Sequence, residues 1–253
     1  AVPTVVKARR SDTAENYSSP AMNSWMLIIG SGPNHLATAT SDQRPMSFAW
    51  DLTERKYIEL AASLQSPASE PAGFYGSFAS VDRNNDYVDD LLYAGTVEGT
   101  EQTQAGRVKR LSLNASAPAF GLADGTARLS TLLDVGKPIV GRPAFIRSHA
   151  KNEDWLLFGT GRSFTVNDYL SVSEQRLFGV KDMDEADNTM ELSSLVDATD
   201  IIVQADVLSG SRLVWDDQVN SDVIIDDVKL RTFEELFAFM DNKHGWYKKL
   251  HVD

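Results

Sequence analysis

The sequence contains no cysteine among its 253 residues. A disulfide framework and a thiolate metal site are therefore both excluded. No run approaches the roughly 20 consecutive apolar residues that a helix needs to cross a bilayer, so we expect a chain that does not span a membrane. A signal peptide is missing as well, and the first residue is Ala1 rather than methionine. We therefore expect a mature or trimmed chain whose export signal lies outside this sequence.

Basic residues are scarce relative to acidic ones. The chain has 24 lysines and arginines against 36 aspartates and glutamates, which gives a formal net charge of −12 at pH 7. This balance argues against a nucleic-acid partner, because phosphate binding requires clustered basic side chains. An acidic surface fits an extracytoplasmic location or cation binding. The length is sufficient for one domain with a sizeable core.

The residue patterns of common enzymes are also missing. No histidine stands in a recognisable Ser–His–Asp arrangement. The four histidines lie in turn-like or terminal contexts, at His35, His149, His244 and His251. The small-residue stretches 30–32 and 159–161 lack the Gly-Lys-Ser/Thr ending of a phosphate-binding loop. We therefore expect a protein that is not an enzyme.

What the sequence does contain is a repeat of short apolar segments. Each copy is an apolar run that ends in glycine followed by serine or threonine, and the copies occupy residues 25–32, 91–96 and 155–161. Their Gly-Ser or Gly-Thr pairs begin 65 and 64 residues apart. A second strand-like stretch follows in each copy, at residues 47–52, 107–113 and 176–182.

A repeat of this length, made of short strands and glycine turns, is typical of β-propeller blades with long outer connections. We therefore predict an all-β fold, a modified β-propeller, partial or complete. Residues 1–253 are predicted to form a single propeller-like domain. A degraded fourth copy is predicted at residues 223–225 and 245–250. At least one helix is inserted, because Thr232 and Glu235 form a capping box ahead of an apolar face.

The strongest chemical signal is an acidic stretch between two strand-like segments, residues 82–90. Oxygen-bearing side chains occupy its first, third, fifth and ninth positions, and the seventh position offers a backbone carbonyl. A tight loop turns every second side chain inward, and Ca²⁺ takes six to eight oxygen ligands. The pattern predicts a calcium site whose ligands are Asp82, Asn84, Asp86, the carbonyl of Val88, and Asp90.

The stretch is similar to an EF-hand loop but differs from it at two positions. The sixth position, normally glycine, is Tyr87, and the twelfth, normally a bidentate glutamate, is Tyr93. Two alternatives stay open. Asp89 competes with Asp90 for the last ligand position. The whole stretch is alternatively a solvated acidic turn, because aspartate and asparagine are common turn residues.

Four segments together resemble the C-terminal domain of PilY-type proteins, the type IV pilus assembly and adhesion factors of bacteria. They are residues 25–33, the acidic stretch running into Tyr-Ala-Gly at residues 93–95, residues 158–162 and residues 245–247. The resemblance covers about residues 25–250, and its most specific part is the acidic stretch joined to Tyr-Ala-Gly. It implies a modified β-propeller of which this chain holds a part, because the family domain is normally longer.

For function, the resemblance implies one Ca²⁺ site that controls pilus extension against retraction, and with it twitching motility and surface attachment. The family's ligands fall on the five positions given above for the calcium site. The resemblance also implies a location at the outer membrane, the cell surface or the pilus tip. The implied partners are pilus subunits, minor pilins, the assembly machinery, and host or abiotic surfaces. The chain has no Arg-Gly-Asp tripeptide, so integrin binding is not expected.

The alternative function is that of a periplasmic quinoprotein dehydrogenase, which is also a propeller that uses Ca²⁺. In those enzymes the protein ligands are scattered over several blades and hold the metal together with the quinone cofactor. Here the predicted ligands form one contiguous loop. The contiguity favours the pilus interpretation.

Overall fold

The computed structural model describes most of the chain, and β-strands dominate the part that it describes. The described residues are 2–9, 23–58, 66–113, 128–148, 151–183, 189–206, 210–215 and 222–250. Their strands form three larger, mainly antiparallel sheets and two hairpins. The predicted all-β class is therefore confirmed.

The first sheet holds the first apolar copy. Its four antiparallel strands lie in chain order, β1 (Thr4–Arg9), β2 (Asn23–Gly30), β3 (Ser47–Asp51) and β4 (Lys56–Ile58). Alternate side chains of β2 are buried, among them Met26 and Ile28, because successive side chains in a strand point to opposite faces. The opposite face of the sheet carries exposed aromatic rings at Trp25, Trp50 and Tyr57.

The second sheet holds the second apolar copy. Its strands are β5 (Gly73–Tyr75), β6 (Ala79–Val81), β7 (Leu91–Gly99), β8 (Gln104–Ala105), β9 (Arg107–Ser112) and β10 (Arg128–Asp134). The main order is β10-β9-β7-β5, and β6 and β8 also pair with β7. Residues 91–98 of β7 are all buried. A strand buried along its whole length needs cover on both faces of its sheet.

The third sheet holds the third apolar copy together with two later strands. In order across the sheet, its strands are β11 (Ala144–Ser148), β12 (Glu153–Gly159), β13 (Gln175–Asp182), β19 (Gly245–Leu250) and β14 (Val196–Asp197). Strand β14 runs parallel to β19, and the other neighbouring pairs are antiparallel. Each of the three apolar copies therefore lies in a sheet of its own.

Two hairpins, two short α-helices and one 3₁₀ turn (Leu192–Ser194) complete the described part. Their bounds are β15 (Ile201–Asp206) with β16 (Gly210–Trp215), β17 (Val223–Ile225) with β18 (Val228–Leu230), α1 (Val166–Tyr169) and α2 (Phe233–Met240). At the start of α2, Thr232 Oγ1 accepts from the Glu235 N–H and the Glu235 carboxylate accepts from the Thr232 N–H. The predicted capped helix is therefore confirmed. Neither described helix has the length and apolar character that crossing a membrane requires.

The predicted fourth copy is wrong in its pairing. Strand β17 forms a hairpin with β18, whereas β19 lies in the third sheet between β13 and β14. Gly179 of β13 lies opposite Trp246 of β19. A Cβ atom at Gly179 would lie 2.5 Å from the Trp246 ring, so glycine lets this ring pack directly on β13. The later segment therefore completes the third sheet instead of starting a fourth.

The three sheets stack face to face. One buried cluster joins Ile28 of the first sheet to Leu92 of the second. Another joins Val108 of the second sheet to Phe158 and Phe178 of the third. The first and third sheets thus cover opposite faces of the second, which explains the complete burial of β7. Among the described residues the sheets do not close into a ring.

Candidate calcium-binding loop

The acidic stretch forms the connection between β6 and β7. These strands pair with Val81 opposite Leu91, and the Asp90 N–H donates to the Val81 carbonyl at 2.8 Å. The connection, residues 82–90, therefore leaves and re-enters the second sheet at one place. It is named the acidic loop from here on. Its closed base brings the first and last predicted ligands, Asp82 and Asp90, to the same end of the hairpin.

The first and last acidic side chains fold back over the backbone of the acidic loop. Asp82 accepts hydrogen bonds from the N–H groups of Asp86 at 3.2 Å and Tyr87 at 2.7 Å. Asp90 accepts from the N–H group of Arg83 at 2.8 Å. Both carboxylates therefore lie over the turn, where backbone N–H groups stabilise negative charge.

The two middle side chains lie in the same turn. Asn84 Oδ1 accepts from the Asp86 N–H at 2.8 Å, and Asn84 Nδ2 donates to Asp86 Oδ2 at 3.3 Å. Asp86 Oδ1 accepts from the N–H of Val88 at 2.9 Å. Asp90 also accepts from the Asn84 N–H at 3.3 Å. The structure therefore brings the four predicted ligand side chains into one turn of nine residues.

The carboxylates of the acidic loop do not converge on a single point. Within the ranges that the structure describes, no three His, Asp or Glu side chains are placed together closely enough to hold a metal ion. Backbone N–H groups bind the carboxylates instead. A cation would have to draw Asp82, Asp86 and Asp90 inward, and the attraction of a dication for three carboxylates supplies the force.

Tyr87 adopts the backbone conformation that the sixth position of such a loop requires. Its φ is +66°, and that of Asn85 is +60°. This left-handed region is the one that glycine supplies in an EF-hand loop. The Tyr87 side chain is 81% exposed, so its ring is not needed for packing. The absence of glycine from the sixth position of the loop therefore does not prevent the sharp turn.

Asp89 and Asp90 point in different directions. Asp89 Oδ2 accepts from the Lys7 N–H at 2.8 Å, and the Asp89 N–H donates to the Lys7 carbonyl at 2.8 Å. Asp89 is therefore bound to β1, whereas Asp90 faces the acidic loop. Of the two alternatives for the ninth position, the geometry favours Asp90.

The acidic loop holds negative charge in a partly buried place. Burial raises the pKa of Asp90, and the nearby carboxylates of Asp86 and Asp82 raise it further, while the backbone N–H groups of Arg83 and Asn84 lower it. Burial also raises the pKa of Asp89. A bound cation would relieve the repulsion between these carboxylates and favour their charged forms.

Arg83, at the second position of the acidic loop, contacts the third sheet. Its Nε lies 2.5 Å from Asp154 Oδ2, and its carbonyl accepts from Arg147 Nη1 at 2.8 Å. The Asp154 side chain is only 1% exposed. Sequence reasoning missed this contact, because the spacing of oxygen ligands gives no information on the residues between them. The one available signal was a charged residue directly before an apolar run, which also fits a solvated turn.

The histidines do not form a catalytic group in the described residues. His35 lies in an exposed turn, 3.5 Å from Asp42. His244 precedes β19, and its carbonyl accepts from the Lys181 N–H. His149 and His251 lie outside the described residues.

Comparison with known proteins identifies a similar fold among solved structures. No protein-family model and no curated protein matches the sequence. Among solved structures, the C-terminal domain of Pseudomonas aeruginosa PilY1 matches with a TM-score of 0.56 and 18% sequence identity over 99% of this chain. The chain has the fold of that domain. It spans 50% of the length of the PilY1 chain in that structure. The resemblance to the PilY-type C-terminal domain is therefore confirmed at the level of the fold.

Proposed function

We propose that this chain is a calcium-binding domain of the PilY type, part of a type IV pilus assembly or adhesion protein and not an enzyme. One observation carries the proposal. The oxygen-bearing side chains at alternate positions of the acidic loop share one turn, in a chain with the fold of the PilY1 C-terminal domain. In this proposal the three stacked sheets are blades of a modified β-propeller, each built on one repeat of about 65 residues.

The donor set suits a hard cation. Asp82, Asn84, Asp86 and Asp90 would supply side-chain oxygens and Val88 its backbone carbonyl. Ca²⁺ takes six to eight oxygens, and bidentate carboxylates or water complete such a shell. A chain without cysteine offers no thiolate to a softer metal.

Calcium occupancy would offset two of the three carboxylate charges and order the acidic loop. A ligand that binds only the folded loop stabilises the domain by RT ln(1 + [L]/Kd), about 2.7 kcal/mol at a hundredfold excess over Kd. At the cell surface or the pilus tip, this state would bias pilus extension against retraction, and so attachment and twitching motility. The proposed partners are pilus subunits, minor pilins, the assembly machinery and the surfaces to which pili attach.

Calorimetric titration of Ca²⁺ into chelator-treated protein tests the site. We expect one site in the parent protein and none in Asp90→Asn, which removes the charge of the ligand that faces the loop. Asp89→Asn is the matched control. It makes the same chemical change one residue away, on a side chain bound to Lys7, and should bind calcium as the parent does. Equal affinity of the parent and Asp90→Asn would refute the assignment, and so would absence of binding in the parent.

The pilus role is tested in the organism that carries the gene. Asp90→Asn should change the amount of surface pili or the twitching distance. Asp227→Asn, on an exposed turn between β17 and β18, should leave both unchanged. Unaltered piliation and motility in an Asp90→Asn strain that has lost calcium binding would separate the metal site from pilus function and remove that part of the proposal.

A further inference from the structure

The outward-facing residues of the acidic loop contact the two sheets that flank the second one. Asp89 binds β1 of the first sheet, and Arg83 binds β12 of the third. These anchoring residues lie at even positions of the loop, between the proposed ligands at odd positions. An alternation of this kind sends one set of side chains into the turn and the other set away from it.

The contact with the first sheet is made on an open strand edge. Among the strands that the structure describes, β1 pairs only with β2. The N–H and carbonyl of Lys7 both bind Asp89, each at 2.8 Å, so they point away from β2. The other half of β1 is held separately, since Thr4 Oγ1 donates to the Phe78 carbonyl at 2.8 Å. Asp89 therefore secures the Lys7 half of the strand.

The contact with the third sheet involves a buried charge. Asp154 is almost fully buried, and Arg83 reaches it from the acidic loop at 2.5 Å, with Arg147 at 3.7 Å. A buried carboxylate is strongly destabilising when a charged partner is withdrawn from it. Any movement that takes Arg83 away from Asp154 is therefore opposed, and any constraint that fixes Arg83 supports the pair.

We propose that the acidic loop is a metal-dependent clamp in which Asp89 and Arg83 are positioning residues that tie the first and third sheets to the second. The proposal rests on calcium binding by the loop. Ligands at positions 82, 84 and 90 fix the backbone on either side of Arg83 and next to Asp89. Metal binding thereby fixes the two anchors, although neither of them is a ligand. Calcium would thereby regulate how firmly the first and third sheets are attached to the second.

Hydrogen exchange of the backbone amides, followed by mass spectrometry with calcium and with chelator, tests the clamp. Calcium should slow exchange in β1 and in β11–β12 as well as in the acidic loop. At calcium a hundred times above Kd, complete coupling would slow exchange about a hundredfold, and we expect at least about tenfold. The β17–β18 hairpin, whose Val223 and Leu230 pack in a separate buried cluster, is the internal reference and should not respond.

Two variants separate the two arms of the clamp. Asp89→Ala should keep calcium binding and the protection of β12 but lose the calcium effect on β1. Arg83→Met combined with Asp154→Asn removes both charges of the pair together, so that no unpaired carboxylate stays buried, and should lose the effect on β12 while keeping that on β1.

The possible outcomes distinguish a failure of the clamp proposal from a failure of the proposed calcium site. Absence of calcium binding in the parent by calorimetry would remove the proposed function. One calcium site in the parent with unchanged exchange in both β1 and β12 would leave that function standing and overturn the clamp. Loss of the calcium effect on both strands in Asp89→Ala would also overturn it, because the arms would then not be independent.

Discussion

The carboxylate of Asp90 lies where burial and neighbouring negative charge both disfavour its ionised form. It is partly buried, and Asp82 and Asp86 repel it, so its pKa is raised above the ordinary value of an aspartate. Asp90 accepts hydrogen bonds from the backbone N–H groups of Arg83 and Asn84, and these bonds offset part of the cost of keeping its charge there. A single side chain thus destabilises the metal-free loop, and in the proposed site it would also supply affinity for calcium.

Asp90→Asn should therefore change stability in opposite directions with and without calcium. Asparagine keeps the oxygen that accepts the Arg83 N–H but removes the repelled charge. In chelator at pH 7, the midpoint of thermal unfolding should rise by about 2–4 °C. At saturating calcium the parent should be the more stable protein. Differential scanning calorimetry measures both, and a variant that responds to calcium as the parent does would contradict the prediction.

The raised pKa of Asp90 also determines how the stability of the metal-free protein changes with pH. Because the folded-state pKa of Asp90 is raised, the folded protein binds this proton more tightly than the unfolded chain does. The metal-free parent should gain stability from this group as the pH falls from 7 through the raised pKa. The pKa values of Asp89 and Glu98 are also raised. The stability gained by Asp90→Asn as the pH falls should therefore be smaller than that gained by the parent, but not zero.

For single residues, the sequence predicted which side chains share the acidic loop but not which residues of other strands they contact. Spacing identified the four side chains that the structure places in one turn, but the contact of Asp89 with Lys7 joins residues 82 positions apart. Gly95 is a second example. Its pattern suggested a turn, yet it lies inside β7, where a Cβ would meet Ile139 Cγ2 at 2.2 Å. Local patterns carry no information on such distant partners.

Between the second and third sheets, three elements meet at a buried polar group. Asp182 of β13 accepts from the Tyr93 hydroxyl of β7 and from Arg110 Nη1 of β9, each at 2.5 Å. Burial, followed by the charge of Asp182, raises the pKa of Tyr93, so its hydroxyl stays protonated and donates. This group fixes the third sheet laterally on the second, which apolar contacts alone do not do.

Asp182→Ala should destabilise the domain strongly. It would leave the buried guanidinium of Arg110 without its close carboxylate, and breaking a buried pair in this way costs about 3–5 kcal/mol. The double variant Asp182→Leu/Arg110→Leu, which removes both charges, should recover a large part of the loss. Urea unfolding followed by circular dichroism measures both, and a cost below about 1 kcal/mol for Asp182→Ala would show that the pair is not a structural link.

Elements with local signals were predictable, and their long-range pairing was not. The capping box at Thr232 and Glu235 gave α2 because both partners lie within one turn. The apolar copies gave β2, β7 and β12 for the same reason. The place of β19 depends on pairing Phe178 with Tyr247 across many residues. Periodicity is the same whichever sheet accepts the strand, so the sequence predicted a separate fourth copy.

Across the whole molecule, the second sheet is shared by two cores. Its faces pack on the first sheet through one buried cluster and on the third through another. Removal of either outer sheet would expose a face of β7, a strand that is buried on both sides. The three sheets should therefore unfold together.

A comparison of two spectroscopic signals tests this cooperativity. Trp25→Phe/Trp50→Phe removes the tryptophans of the first sheet, both of them partly exposed. The remaining fluorescence then reports on the third sheet and the β15–β16 hairpin, whereas far-UV circular dichroism reports on all strands. The two urea transitions should coincide, as they do for a single cooperative unit. Separate midpoints would show that the outer sheets unfold independently.

The open edge of β1 has a consequence for mechanical load. Tension applied through the segment that precedes β1 reaches the domain at this strand. The strand resists through its register with β2, through Thr4 on Phe78, and through the two hydrogen bonds between Lys7 and Asp89. The acidic loop thus helps to hold the strand through which such tension would enter the domain. An ion held there would set the force at which the domain begins to yield.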